Sequence, residues 1–373
     1  MDLRPNRVKI DLSALAHNLG QVKSLARPGT KIMGVVKSDA YGHGLLPVSR
    51  TLEANQVDCL GVASLHEALV LKDSGVKSRI LVLSGVLEGE EIREVVARDL
   101  IPLIFDPAVA QALSEESVRQ NKRTPIHVKV DTGMGRLGIP HDQLAPFLEK
   151  IRGMKSLRLE GLASHLSSAD DPSRDFTEQQ IRRFQEAVEK GRAMGLPCTL
   201  NHLANSAGVM SYPDSHCDLL RPGIMLYGGL PSPDFKSAVP LRPVMSFTGR
   251  VLQVRDLPGG TPISYGRTYH TQGPRRVAVL SAGYGDGLPR TMSNRGRALL
   301  KGKRVPLVGT ICMNLTVCDV SHLQDVRPGD EAVFLGAQGR ETILADDLAR
   351  WSETISYEVL CSIGQRNERR YVS

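Results

Sequence analysis

The chain has 373 residues, 41% hydrophobic and 23% charged, an ordinary globular mix with room for two domains. A net charge of +7 raises the question of nucleic acid, but Lys and Arg are spread along the chain, aromatics are only 4% and no nucleic-acid motif accompanies them. The charge reads as a solvated surface suited to a small anionic ligand, and no run approaches the ~18 apolar residues that span a bilayer.

The N-terminal stretch MDLRPNRVKIDLSALAHN lacks the apolar segment of a signal peptide, and the six cysteines form no CxxC pair. Both point to a reducing compartment, the cytoplasm. DLSALAHNLGQVKSLA then places Leu12, Leu15, Leu19, Val22 and Leu25 near a helical period. Apolar runs follow, each leading into a helix-like segment: KIMGVV (31–36), CLGVAS (59–64), ILVLSG (80–85), LIPLIF (100–105), IHVKVD (126–131), LEGLASHL (159–166) and CTLNHLA (198–204). LLRPGIMLYG (219–228) closes the series. The runs are continuous rather than alternating, as in strands buried on both faces. About eight such units have the rhythm of a (β/α)₈ barrel over residues 10–240. An open doubly wound sheet is the alternative, because counting units does not prove closure.

The texture changes after the Pro-rich stretch LPSPDFKSAVPLRP (230–243). RVLQV, TPISYG, RRVAVLSAG, RALLKGKRVPLVG, TVCDV and DEAVFLG are short runs between Gly, Pro and Asp turns, and they predict an all-β domain over 241–373.

In a barrel, the C-terminal ends of the strands line the active site. Those ends carry Lys37 and Tyr41, Lys129 and Arg136, His165, Asn205 and Ser206, and Arg221 with Gly223. The set is polar and mostly cationic, although it follows apolar runs where a stray charge is costly to desolvate. Lys37 reads either as a lysine snorkelling from a strand end or as an amine able to condense with a carbonyl. GMGRLG (133–138) fits GxGxxG, but Pro140 follows at once and the motif lies mid-chain, so it reads as a loop presenting Arg136 and not as a dinucleotide site. NSAG (205–208) and the Pro-Gly turn after Arg221 together suit a phosphate, although NSAG alone is equally a helix cap. His165 and His202 stand isolated, no HExxH occurs, and no metal is expected.

Taken jointly, VVKSDAYGHG, KVDTGMGRLG, SHLSSAD, NSAG, RPGIMLYG, SYGRTY, GYGDGLPR, VGTICMN and ISYEVL, in order from residue 35 to 360, resemble alanine racemase, a pyridoxal-phosphate (PLP) family of fold type III. The resemblance implies an N-terminal (β/α)₈ barrel and a C-terminal β domain, with residues 1–9 packing on the latter. It implies a homodimer whose sites join one subunit's barrel to the other's β domain. Lys37 matches the lysine that holds PLP and then acts as a base. Tyr41, Asn205, Ser206, Gly223, Ile224 and Tyr357 match the cofactor cradle. Tyr265 matches the opposing base, supplied by the partner and coupled to His165 and Arg221, since a phenol needs help to ionise near neutral pH. Arg221 also matches the residue facing the pyridine nitrogen. Arg136 and the Met313 backbone match contacts to the substrate carboxylate, Lys129 a lysine carbamylated in several members, and Tyr284 a tyrosine that narrows the entrance. The implied activity is interconversion of L- and D-alanine, supplying D-alanine for peptidoglycan. A broader amino-acid racemase and a non-enzymatic PLP-binding protein are the alternatives. Two departures stand out: Asn314 replaces a more usual Asp, and the tail GQRNERRYVS is unusually polar.

Overall fold

The protein is described by a computed structural model covering residues 5–87 and 89–373. The strands Lys31–Val35, Cys59–Val62, Arg79–Val82, Ile101–Ile104, Thr124–Asp131 and Leu157–Ala163 lie parallel and side by side. Cys59–Val62 and Ile101–Ile104 are buried at every residue, which is why their sequences are continuously apolar. Helices cover the outside. Their starts are legible locally: Ser64 and Glu67 form a capping box ahead of Leu65–Asp73, and Asp106 caps a helix that begins with Pro107.

Closure rests on two short pieces. The extended segment 201–204 bonds on one side to the strand before it, His202 N–H donating to Leu162 O at 2.9 Å and Ser164 N–H to His202 O at 3.0 Å. On its other side Leu219 N–H donates to Asn201 O at 3.2 Å and Arg221 N–H to Ala204 O at 3.1 Å. Leu219–Leu220 then pairs with the first barrel strand through Lys31 and Ile32. The sheet is a closed ring, and the open doubly wound alternative drops out.

The C-terminal part is built on a sheet with the strand order Lys303–Pro306, Arg297–Leu300, Glu331–Gln338, Met245–Leu257, Arg7–Asp11, Arg369–Val372. Arg7–Asp11 runs antiparallel to Met245–Leu257 and parallel to Arg369–Val372. The chain therefore enters through this sheet before Asp11 caps the helix Leu12–Leu25. Residues 1–4 of the segment expected to pack here lie outside the described residues. This sheet-rich part also carries two helices that its short runs did not announce, Ala345–Ser352 and Ser356–Arg366. The first buries Ala345, Leu348, Ala349 and Ser352, a helical spacing that is visible in ADDLARWS once sought.

The Pro-rich connection is tied down. Buried Asn18 donates to Leu226 O at 3.0 Å and Arg242 O at 2.8 Å, and accepts from Arg242 N–H at 2.8 Å. An orphaned buried amide costs about 1–3 kcal/mol, so this one side chain fixes where the chain leaves the barrel.

Candidate active site

Lys37 follows the first barrel strand by two residues and opens an unusual turn. Ser38, Asp39, Ala40 and Tyr41 have φ of 55°, 53°, 53° and 54°, so four successive non-glycine residues are left-handed. Each costs roughly 1–2 kcal/mol in that region, and the surroundings must hold them there. Asp39 N–H donates to Glu67 Oε1 at 3.3 Å, and Asp39 Oδ1 accepts from Leu45 N–H at 2.6 Å. The other Asp39 oxygen pairs with Arg369, whose Nη1 also donates to Gly42 O at 3.0 Å. Buried His43 donates from Nδ1 to the carbonyls of Ala40 and Tyr41 at 3.1 and 3.0 Å. Gly42 packs so closely on the last helix that a Cβ would stand 2.5 Å from Leu360 O. The polar tail thus has a structural use: Arg369 clamps the turn that carries Lys37.

Lys37 and Tyr41 line a cavity of about 360 Å³ at the C-terminal end of the barrel. Lys129 and Arg221 lie deep in its wall, and Arg136 reaches it from an exposed loop. That loop is shaped by Asp131, whose Oδ1 accepts from Gly133 and Met134 N–H at 2.9 and 2.8 Å. At Gly138, φ is 127° and a Cβ would meet Asp131 N at 2.7 Å. The next helix starts only at Leu144, so GMGRLG is indeed a loop.

Among the described residues, four basic side chains line this cavity and no carboxylate does. The charge shifts burial would cause are reinforced by this crowding. Burial, then Arg136 and Arg221, push the Lys37 amine below the ordinary lysine range. Burial, then Arg221 and Arg136, push Lys129 well below it. Arg221 is pushed down to about 10 by burial and remains a cation at neutral pH. Its Nη2 donates to Ser164 O at 2.7 Å, Leu203 O at 3.1 Å and His165 Nδ1 at 3.1 Å. Because a guanidinium only donates, His165 accepts at Nδ1 and, kept neutral by burial and its cationic neighbours, carries its proton on Nε2.

At the cavity's other side Asn205 caps Ser206–Ser211, accepting from Gly208 N–H at 3.0 Å. Ser206 Oγ accepts from Gly223 and Met225 N–H at 2.9 and 3.3 Å, which leaves its own O–H to donate elsewhere. Gly223 and Ile224 complete this wall, and a Cβ on Gly223 would stand 2.3 Å from Tyr41 Oη. Tyr357 closes it from the helix Ser356–Arg366. Tyr41 stacks on Tyr227 with ring centroids 4.8 Å apart, and Tyr227 Oη donates to Val35 O at 2.9 Å.

PLP fits this donor set. An aldehyde would meet an amine biased towards its neutral form, and a phosphate would meet hydroxyls beside a glycine that leaves room. The cationic lining accounts for an anionic occupant.

Three expected residues do not join this cavity within one chain. Tyr265, Tyr284 and Met313 are absent from its lining and are 68%, 38% and 57% exposed. Tyr265 lies in a strained turn, with Ser264 at φ 63° and Arg267 at φ 49°, and Thr310 Oγ1 donates to its carbonyl at 2.8 Å. Asn314 donates from Nδ2 to Asp286 Oδ2 at 3.2 Å, a bond an aspartate could not make. Sequence reasoning missed Tyr227, Asp39 with Arg369, and the setting of His202. That histidine is not isolated: it bonds to both Arg221 and His127, residues far away in the chain.

Residues 10–231 match the family model "Alanine racemase, N-terminal domain" and residues 244–371 match "Alanine racemase, C-terminal domain". An alanine racemase of Syntrophobacter fumaroxidans is 44% identical over 98% of this chain and 96% of its own length. One from Geobacter sulfurreducens is 40% identical over 100% and 98%. Among solved structures, alanine racemase from a D-cycloserine-producing Streptomyces lavendulae superposes with a TM-score of 0.94 at 31% identity, over 100% of this chain and 98% of that one. The biosynthetic alanine racemase from Pseudomonas aeruginosa gives 0.91 at 33% identity, over 100% of both.

Proposed function

The chain belongs to the alanine racemase family, and from that premise we propose that Lys37 and Tyr265 are the two bases with which it interconverts L- and D-alanine. The enzyme is PLP-dependent. The observation that carries the residue assignment is a cavity lined, among the described residues, by four basic side chains and no carboxylate, with the Lys37 amine presented by the turn after the first barrel strand.

When bound, PLP supplies an electron-poor ring that acidifies the α-carbon of an attached amino acid. Lys37, Tyr41, Asn205, Ser206, Gly223, Ile224 and Tyr357 would hold it, with Arg221 at the ring nitrogen. Arg136 and the Met313 N–H orient the substrate carboxylate, and Tyr284 narrows the entrance. Lys37 Nζ accepts or returns the α-proton on the face that yields or consumes D-alanine, and Tyr265 Oη does so on the L face. His165 and Arg221 support the phenolate electrostatically. As a lasting cation, Arg221 has little tendency to give a proton to the ring, which limits the side reactions a protonated ring would open.

Because Tyr265, Tyr284 and Met313 stand exposed and outside the cavity, we assign them to the partner's site in a homodimer. The barrel is assigned to residues 10–240 and the β domain to 241–373 with the chain's first nine residues. A cytoplasmic setting agrees with six free thiols, and among the described residues no helix is long and apolar enough to cross a membrane. Supply of D-alanine for peptidoglycan is the role this activity suits.

Lys129 is 9% exposed and crowded by cations, which pushes its amine well below the ordinary lysine range and raises the share of the neutral form that adds to carbon dioxide. The carbamate formed, with loss of one proton, would place an anion beside Arg136 and Arg221. We expect ¹³C-bicarbonate to give a carbamate signal that Lys129→Gln lacks; an unlabelled wild-type protein would refute the modification.

The activity is tested by incubating the PLP-loaded protein with single L-amino acids in D₂O, following α-deuteration by NMR and enantiomers by chiral chromatography. L-Alanine should become deuterated D-alanine well ahead of other amino acids. Equal rates across the panel would indicate a broad-specificity racemase, and bound PLP without exchange a carrier.

A further inference from the structure

A line of buried polar side chains leaves the site through the barrel interior, and no step above uses it. Arg221 Nη1 lies 2.8 Å from His202 Nδ1. His202 Nε2 lies 2.8 Å from His127 Nδ1. His127 Nε2 lies 3.7 Å from Glu160 Oε2, too long for a direct hydrogen bond but within ion-pair range. Glu160 is near the N-terminal end of the barrel, paired with Arg79 and, at 2.9 Å, with Arg158. His202 and His127 are 0% and 1% exposed.

Proton counting leaves one arrangement for neutral imidazoles. The Arg221 guanidinium only donates, so His202 accepts at Nδ1 and holds its proton on Nε2. That proton points at His127 Nδ1, which must accept. The proton of His127 then sits on Nε2 and faces the Glu160 carboxylate. The donor-only cation at one end fixes both tautomers, and the carboxylate at the other attracts the His127 Nε2–H across 3.7 Å without a direct hydrogen bond. Burial favours the neutral form of both rings. Burial works against the Glu160 charge, but His127 and Arg79 outweigh it and hold the acid at about 2.

We propose that Glu160 is a positioning residue for Arg221, acting through His127 and His202 to fix the guanidinium's orientation from the far end of the barrel. Arg221 touches only neutral acceptors among its hydrogen-bond partners in the described residues. The chain of polarised imidazoles brings carboxylate character to the guanidinium without placing an acid in the cavity. The expected effect on rate rests on the role proposed for Arg221 above; the tautomers do not.

The test uses histidine-¹⁵N-labelled holoenzyme, with ring signals assigned through His127→Gln. Both His127 and His202 should be neutral with the proton on Nε2. A proton on Nδ1 of either ring, or a cationic ring, overturns the relay. In Glu160→Gln the His202 ring signals should shift, and kcat for alanine should fall on the order of tenfold with KM little changed. Arg158→Ala, which keeps the carboxylate, should leave both at wild-type values. A Glu160→Gln enzyme with wild-type His202 signals and kcat overturns the proposal, as does one that loses only thermal stability. Were the wild-type protein itself inactive on every amino acid, the racemase assignment would fail while the ring signals still reported on the relay.

Discussion

Tyr265→Phe should lower L-to-D turnover of alanine by roughly 10²–10⁴-fold, the range that one positioned acid–base group contributes. The loss should be one-sided. Lys37 remains, so the α-proton of D-alanine should still exchange with D₂O while that of L-alanine does not. The ring stays, and the 68% exposure of Tyr265 in the single chain means little core packing is disturbed. Proton exchange followed separately from each enantiomer decides it: equal loss from both would leave Tyr265 a binding residue, and no loss would remove it from the chemistry.

Lys37→Ala should be more damaging, since the same amine both holds the cofactor and moves a proton. Turnover should fall by at least the same ~10²–10⁴-fold, and the cofactor's visible absorbance should be lost on dialysis. Retained absorbance with full activity would place the cofactor's anchor elsewhere. The pair of variants also tests the shared site. In a mixed dimer, the Tyr265→Phe subunit supplies an intact Lys37 and the Lys37→Ala subunit an intact Tyr265, so one of the two sites is wild type. Co-refolded in equal amounts, they should recover about a quarter of wild-type activity by random pairing. No recovery in verified mixed dimers would mean that each chain builds its own site.

Much of the site was legible because its groups sit at positions whose local chemistry is anomalous. Lys37, Lys129, Arg136, His165 and Arg221 each follow an apolar run, where an ordinary protein would not spend a charge, and barrel geometry sends all such strand ends to one rim. The glycines of GMGRLG and the cap in NSAG are short-range features, set within a few residues. The strands read as strands because burial on both faces demands unbroken apolar sequence.

What the chain order could not state was closure, charge pairing at distance and the left-handed turn. The barrel closes through residues 201–204 and Leu219–Leu220, pieces too short to carry a period. Ser38 to Tyr41 are ordinary L-residues with no sequence mark of positive φ; contacts from His43, Leu45, Glu67, Arg369 and the last helix hold them. The link from Glu160 to Arg221 joins two strands, the 201–204 segment and the residue that follows Leu219–Leu220, and His127 and His202 are 75 residues apart. Sequence by itself determined which residues carry unusual chemistry, since local desolvation and backbone geometry act through near neighbours. Tertiary structure alone decided which of them meet and in what protonation state, because hydrogen bonds and charge depend on distance in space, not along the chain.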